Sequence, residues 1–119
     1  RANLRGANLS EAHLTGANLS FANLLSTNLT GADLFGADLF GANFFQANLA
    51  EASLTEANLT GANLSKADLF NANLTGANLT GTRFNKAYLV GANLSGASAD
   101  QTTQWPEGFD PEAAGVTFK

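Results

Sequence analysis

Gly31-Ala-Asp-Leu-Phe-Gly-Ala-Asp-Leu-Phe40 is one five-residue phrase written twice. Outward from that pair, the same phrase fills most of the chain. Leucine or phenylalanine stands at every fifth position from Leu4 to Leu94, nineteen times without a break. Alanine precedes each by two, except at Thr27 and Thr82, and Asn or Asp usually lies between.

A period of five excludes the common elements. Five residues advance an α-helix by roughly 500°, so successive leucines would step round it by roughly 140° and form no stripe. Frequent Asn and Gly weaken a helix further. A straight strand fails because side chains alternate with period two, so the next Ala–Leu pair would point to the opposite face. The pattern works only if the chain turns a corner in each repeat and so brings the next pair inward again. Corners of about 90° close a coil after four repeats, but the period alone leaves the number of sides open.

The phrases Ala62-Asn63-Leu64-Ser65-Lys66 and Ala67-Asp68-Leu69-Phe70-Asn71 resemble the pentapeptide-repeat family. The resemblance covers residues 2 to about 97. It implies an all-β fold, a right-handed quadrilateral β-helix of about five coils with a C-terminal cap. It also implies that the central residue and the Ala two before it point inward, and that the other three positions point outward. Leu24, Leu34, Leu39, Phe44, Leu64 and Phe84 are then core residues. A lone coil should not persist. Burying four Leu contributes roughly 6–12 kcal/mol, against roughly 20–40 kcal/mol for ordering 20 backbone residues. Stacking on neighbours must supply the difference.

The domain organisation expected is a repeat body, 1–97, and a capping segment, 98–119. The second has no five-residue period and holds the only Trp and both prolines. Trp105, Phe109, Val116 and Phe118 are its natural cover for the last coil. The phrase Thr103-Gln-Trp-Pro-Glu-Gly-Phe-Asp-Pro111 also resembles tails that follow such repeats in cyanobacterial members. The first coil has no segment before it to cover Leu4, Leu9, Leu14 and Leu19. Open edges of this kind invite pairing. The expectation is that this edge joins upstream sequence in a longer protein, with a partner at the edge as the alternative.

Composition limits the chemistry. Without Cys there is no disulfide, thiolate nucleophile or Cys-ligated zinc. His13 is the only His, so no His pair can form a metal set. Asp33 and Asp38 are separated by a corner and read as substitutions of the usual Asn. The eight Asn-Leu-Ser/Thr triplets match the glycosylation acceptor pattern, but the repeat generates them automatically. No catalytic, cofactor or metal site is expected, and no cofactor. No apolar run approaches the roughly 20 residues that span a bilayer, so no membrane insertion by this segment is expected. The net charge of −4 divides into −1 over residues 1–97 (five bases, six acids) and −3 over 98–119 (one base, four acids). A nucleic-acid partner would want a larger imbalance in the body.

Outward positions carry a surplus of apolar residues. With sides numbered from Leu4, Leu25 and Phe45 fall on face one, Phe70, Tyr88 and Val90 on face two, Phe35 on face three and Phe40 on face four. They form either ladders that stiffen adjacent coils or an interaction surface. The expected function is a non-catalytic structural or protein-interaction module within a longer cyanobacterial protein. The resemblance admits attachment to a membrane through other segments and a part in placing heterocyst envelope glycolipids. The alternative is a DNA mimic acting on gyrase, which the near-neutral body and plugged C-terminal end disfavour.

Overall fold

The computed structural model describes residues 1–119. The residue before each central Leu or Phe forms a parallel bridge with its counterpart twenty residues on. Asn3 pairs with Asn23, Asn23 with Asn43, Asn43 with Asn63 and Asn63 with Arg83, and the other three sides repeat the arrangement. Four pentapeptides therefore make one turn of a right-handed square solenoid. Each rung is a bridge rather than a long strand, because a corner follows at once. The rod measures 33 × 22 × 19 Å.

Where Asn or Asp precedes the central residue and a coil lies on either side, all five backbone N–H groups of a repeat are satisfied, as burial demands. In the repeat centred on Leu24, Asn23 N–H donates down to Ala2 O at 2.8 Å, and Leu24 N–H donates up to Asn43 O at 2.8 Å. Ser26 N–H donates up to Phe45 O, and Thr27 N–H closes the corner onto Leu24 O. The fifth, Leu25 N–H, is taken by the side-chain oxygen of Asn23 at 3.1 Å. This local Asx turn explains why Asn or Asp precedes the central residue. Ser and Thr after the centre add a hydroxyl bond to the same oxygen, as Thr30 does to Asn28 and Thr60 to Asn58 at 2.6 Å.

All nineteen corner residues from Gly6 to Gly96 have positive φ, ten of them glycine and nine not. Positive φ at the third turn position alone is the pattern of a type II turn. Left-handed backbone costs a residue with a Cβ roughly 1–2 kcal/mol. Glu11, Phe21, Lys66 and the other non-Gly corners accept that cost because the rungs on both sides hold the turn.

Leu24, Leu34, Leu39, Phe44, Leu64 and Phe84 are fully buried in one continuous core with the alanines beside them. Alanine is small enough to let adjacent sides meet. Where Thr takes its place, the hydroxyl must find a partner. Thr27 Oγ1 donates to Leu4 O at 2.9 Å and Thr82 Oγ1 to Leu59 O at 2.8 Å. Leu4, Leu9, Leu14 and Leu19 are only half-buried, since no rung lies below them.

The five-residue composition ends at Ala97, but the ladder continues. Ser98 bridges Asn78, and Ala99 is buried as the next central residue. After Ala99 the register slips by one, so that Gln104 bridges Arg83 twenty-one residues before it. Thr103 then takes the alanine place and donates to Leu79 O at 2.8 Å. The strand β1 (Ser98–Ala99) pairs in parallel with β2 (Thr117–Phe118), which covers face four. Ser98–Ala99 thus complete face four of the fifth coil, and Gln104 and Thr117–Phe118 stand one rung above it on faces one and four.

Candidate interaction surface

Below the last rung of face two, the outward aromatic side chains stand on rungs whose backbone is already satisfied. Phe35, Phe40, Phe45 and Phe70 occupy the place usually held by Ser or Thr. Their N–H groups still donate to Asp33, Asp38, Asn43 and Asp68, at 3.0, 3.1, 3.0 and 3.0 Å. The substitution therefore removes only a hydroxyl bond and leaves the ring free for contacts outside the core.

The structure brings some of these rings together. Phe40 meets Phe21 edge to face, with centroids 5.3 Å apart and planes at 71°. Such an offset is the arrangement that ring quadrupoles favour. The guanidinium of Arg1 lies 5.1 Å over Phe21, and Lys66 Nζ lies 5.7 Å from the Phe45 centroid. Phe21 sits at a corner, outside the repeat position that holds the other outward phenylalanines. Its signal was available as a large aromatic residue where most repeats place Gly. Phe70 and Tyr88 stack between coils four and five at 6.3 Å and 27°. Phe35 stands one corner round from Phe40. Phe35, Phe40, Phe70, Tyr88 and Val90 are exposed, whereas Leu25 and Phe45 are half-buried.

At the C-terminal end Trp105 stacks on Phe84 at 5.1 Å with the ring planes nearly parallel, and Phe109 stacks on Trp105 at 5.4 Å. Val116 is buried, but Phe118 is 42% exposed and contributes its backbone to β2 rather than its ring to the core. Trp105 Nε1 is buried without a protein acceptor. Beside this stack lies an open cleft of about 430 Å³ between Ala87–Val90 and Pro106–Phe109. Tyr88 and Val90, at 51% and 54% exposure, form one wall. No three His, Cys, Asp or Glu side chains gather where they could hold a metal ion. No helix is long and apolar enough to cross a membrane.

A square solenoid with inward Leu and Ala and an ordered outer surface defines a class of repeat protein. The family model for pentapeptide repeats, with eight copies, matches residues 1–36, 37–76 and 67–103. The chain belongs to the pentapeptide-repeat family. It is similar to alr5209, a pentapeptide repeat protein from Nostoc Pcc 7120, at 35% identity and a TM-score of 0.73. That match covers 100% of this chain and 86% of the other. A pentapeptide repeat protein from the Arabidopsis thaliana thylakoid lumen is 34% identical with a TM-score of 0.65, over 82% of this chain and 64% of that one. The fold also matches QnrB1, a plasmid-mediated fluoroquinolone resistance protein, with a TM-score of 0.77 at 20% identity, over 95% of this chain and 67% of that one. No curated protein matches.

Proposed function

We propose that this chain is a rigid, non-catalytic module that presents outward aromatic side chains to a protein partner. The observation that carries the reading is the exposed pair Phe21–Phe40. Rings left this open contribute less to stability than buried ones, and contiguous exposed apolar surface is a common mark of an interaction site. Trp105, Phe109 and Val116 act as the cover of the last coil in the same proposal, with Phe118 peripheral.

A cyanobacterial setting is supported by the likeness to alr5209 from Nostoc Pcc 7120, and a place within a longer protein is part of the same proposal. Membrane attachment outside this chain and a part in heterocyst glycolipid placement rest on the family resemblance alone. The likeness to QnrB1, at 20% identity, carries the fold and nothing about gyrase. The repeat body's charge of −1 also supplies no acidic strip.

The test is a photoreactive residue placed at Phe40, and separately at Thr75 on face three, in cells that naturally make the protein. Cross-linking to one discrete polypeptide from position 40 but not from 75 is the expected result. Adding Phe21→Ser to the protein that carries the photoreactive residue at 40 should weaken that product while its unfolding midpoint changes little. Loss of more than about 2 kcal/mol of stability without loss of the cross-link would make the pair a stiffening ladder instead.

A further inference from the structure

The fifth coil is only partly covered: on face three Gly96 N–H donates to Gly115 O at 3.0 Å while Leu94 N–H has no partner, and on face two no upward ladder group is engaged. On face one, Phe84 N–H donates up to Gln104 O at 2.7 Å, and on face four Thr117 and Lys119 N–H donate back to Ala97 O and Ala99 O at 2.8 and 3.0 Å. Between those contacts, residues 106–114 leave the ladder in local turns such as Phe109 N–H to Pro106 O. Face two therefore ends at residues 87–91.

One coil lower, the same groups are all engaged. Leu69 N–H donates to Tyr88 O, Asn71 N–H to Val90 O, and Ala67 O accepts from Tyr88 N–H. Their counterparts Leu89 N–H, Gly91 N–H and Ala87 O have no partner in the chain. The core is thin at the same place. Leu89 and Ala87 are 9% and 8% exposed, where Leu69 and Ala67 are 0% and 1%. The cleft of about 430 Å³ lies directly along this edge.

We propose that this edge takes up an extended segment of a partner protein as the missing sixth rung of face two. The proposal rests on the reading of the chain as an interaction module and names the chemistry of what it binds. Addition of a strand to a free sheet edge is an established mode of peptide recognition, with backbone bonds giving affinity and alternate side chains giving specificity. The ladder below fixes the register. The first residue of the segment donates to Ala87 O and accepts from Leu89 N–H, and its side chain lies outward above Tyr88. The second points its side chain inward above Leu89 and must be apolar. The third accepts from Gly91 N–H and lies above Val90.

Charge fixes the first residue further. Glu107 is the one charged residue that lines the cleft, and Asp68 bridges Tyr88 from below. The only base of residues 98–119, Lys119, donates to Thr80 on another face. An arginine in first place faces Glu107 and can lie over the Tyr88 ring, as Arg1 lies over Phe21. The preferred segment therefore reads basic, then aliphatic, then β-branched.

The test uses the full chain and an acetylated, amidated probe peptide, Lys-Arg-Leu-Val-Lys. Binding is read by anisotropy of the labelled peptide and by emission of Trp105, which stacks on cleft-lining Phe109. Saturable binding is expected. Methylating the backbone nitrogen of the peptide Arg should weaken it at least about tenfold, since that N–H is the one given to Ala87. Methylating the Leu nitrogen should change it less than about twofold, because in this ladder that N–H points away from the coil below. Replacing Arg by Glu in the peptide, or Glu107→Lys in the protein, should weaken binding and flatten its salt dependence. Equal binding of the two methylated peptides, undiminished binding of the Glu peptide, or no saturation up to on the order of 1 mM would each overturn the assignment. If the peptide fails while the position-40 cross-link persists, the interaction module stands and only this edge is withdrawn.

Discussion

The asparagine that precedes each central residue carries a structural duty that its outward direction conceals. Asn63 accepts the N–H of Ser65 at 2.9 Å, a donor that no rung can reach. Asp33, Asp38 and Asp68 do the same through one carboxylate oxygen. Asn63→Ala should therefore cost about 1 kcal/mol in urea unfolding, the ordinary worth of a hydrogen bond whose partner is partly buried. Asn63→Asp should stay within about 0.5 kcal/mol, because the acceptor is retained. Equal losses in the two variants would remove the Asx turn from the account. The preference for Asn or Asp was plain in the sequence. Its cause was not, since it depends on which N–H the ladder leaves over.

At the scale of the coil, contact follows the twenty-residue spacing rather than proximity in sequence. Phe44 and Leu64 are stacked on one face by the Asn43–Asn63 bridge, whereas Leu54 lies on the opposite side. A double-mutant cycle between Phe44→Leu and Leu64→Ala should show coupling of at least about 0.5 kcal/mol. The same cycle with Leu54→Ala should be smaller, and the reverse order would contradict the four-sided register.

The turn at Asp100 belongs to this scale too, because it makes the one-residue slip that lets Trp105 rejoin the stack. The Thr102 hydroxyl, and then its N–H, hold the Asp100 carboxyl below its ordinary value of 3.8. A carboxylate whose pKa is lower when folded contributes stability that is complete above about 3.8 and fades as pH falls through the lower folded value. Unfolding midpoints followed downward from pH 5 should thus fall less steeply in Asp100→Asn than in the parent. Parallel curves would show that the turn does not depend on the charge.

For the molecule as a whole, each coil touches only its neighbours, and stability approximates a sum of coils and interfaces. The stack Leu64, Phe84, Trp105, Phe109 runs off the top of face one, so its last members act on the end of the rod. Trp105→Ala should cost about 3 kcal/mol, near the low end for large aromatics because Trp105 is only half-buried. Hydrogen exchange should speed up at Phe84 and Leu79 and stay unchanged at Leu24. Uniform acceleration along the rod would mean that the chain melts as one unit.

The sequence by itself determined the inward and outward positions and the need for a corner in every repeat. Both follow from a period of five set against the two-residue alternation of extended backbone. Nineteen central residues and their alanines were legible on that basis, as was the aromatic surplus outside. Only the tertiary structure decided that Phe21 meets Phe40, that the ladder runs past Ala97 with one residue of slip, and that face two of the fifth coil is left open. Those features depend on which residues lie twenty or twenty-one apart across a turn. That spacing is set by hydrogen bonds between coils, and no local pattern of side chains records it.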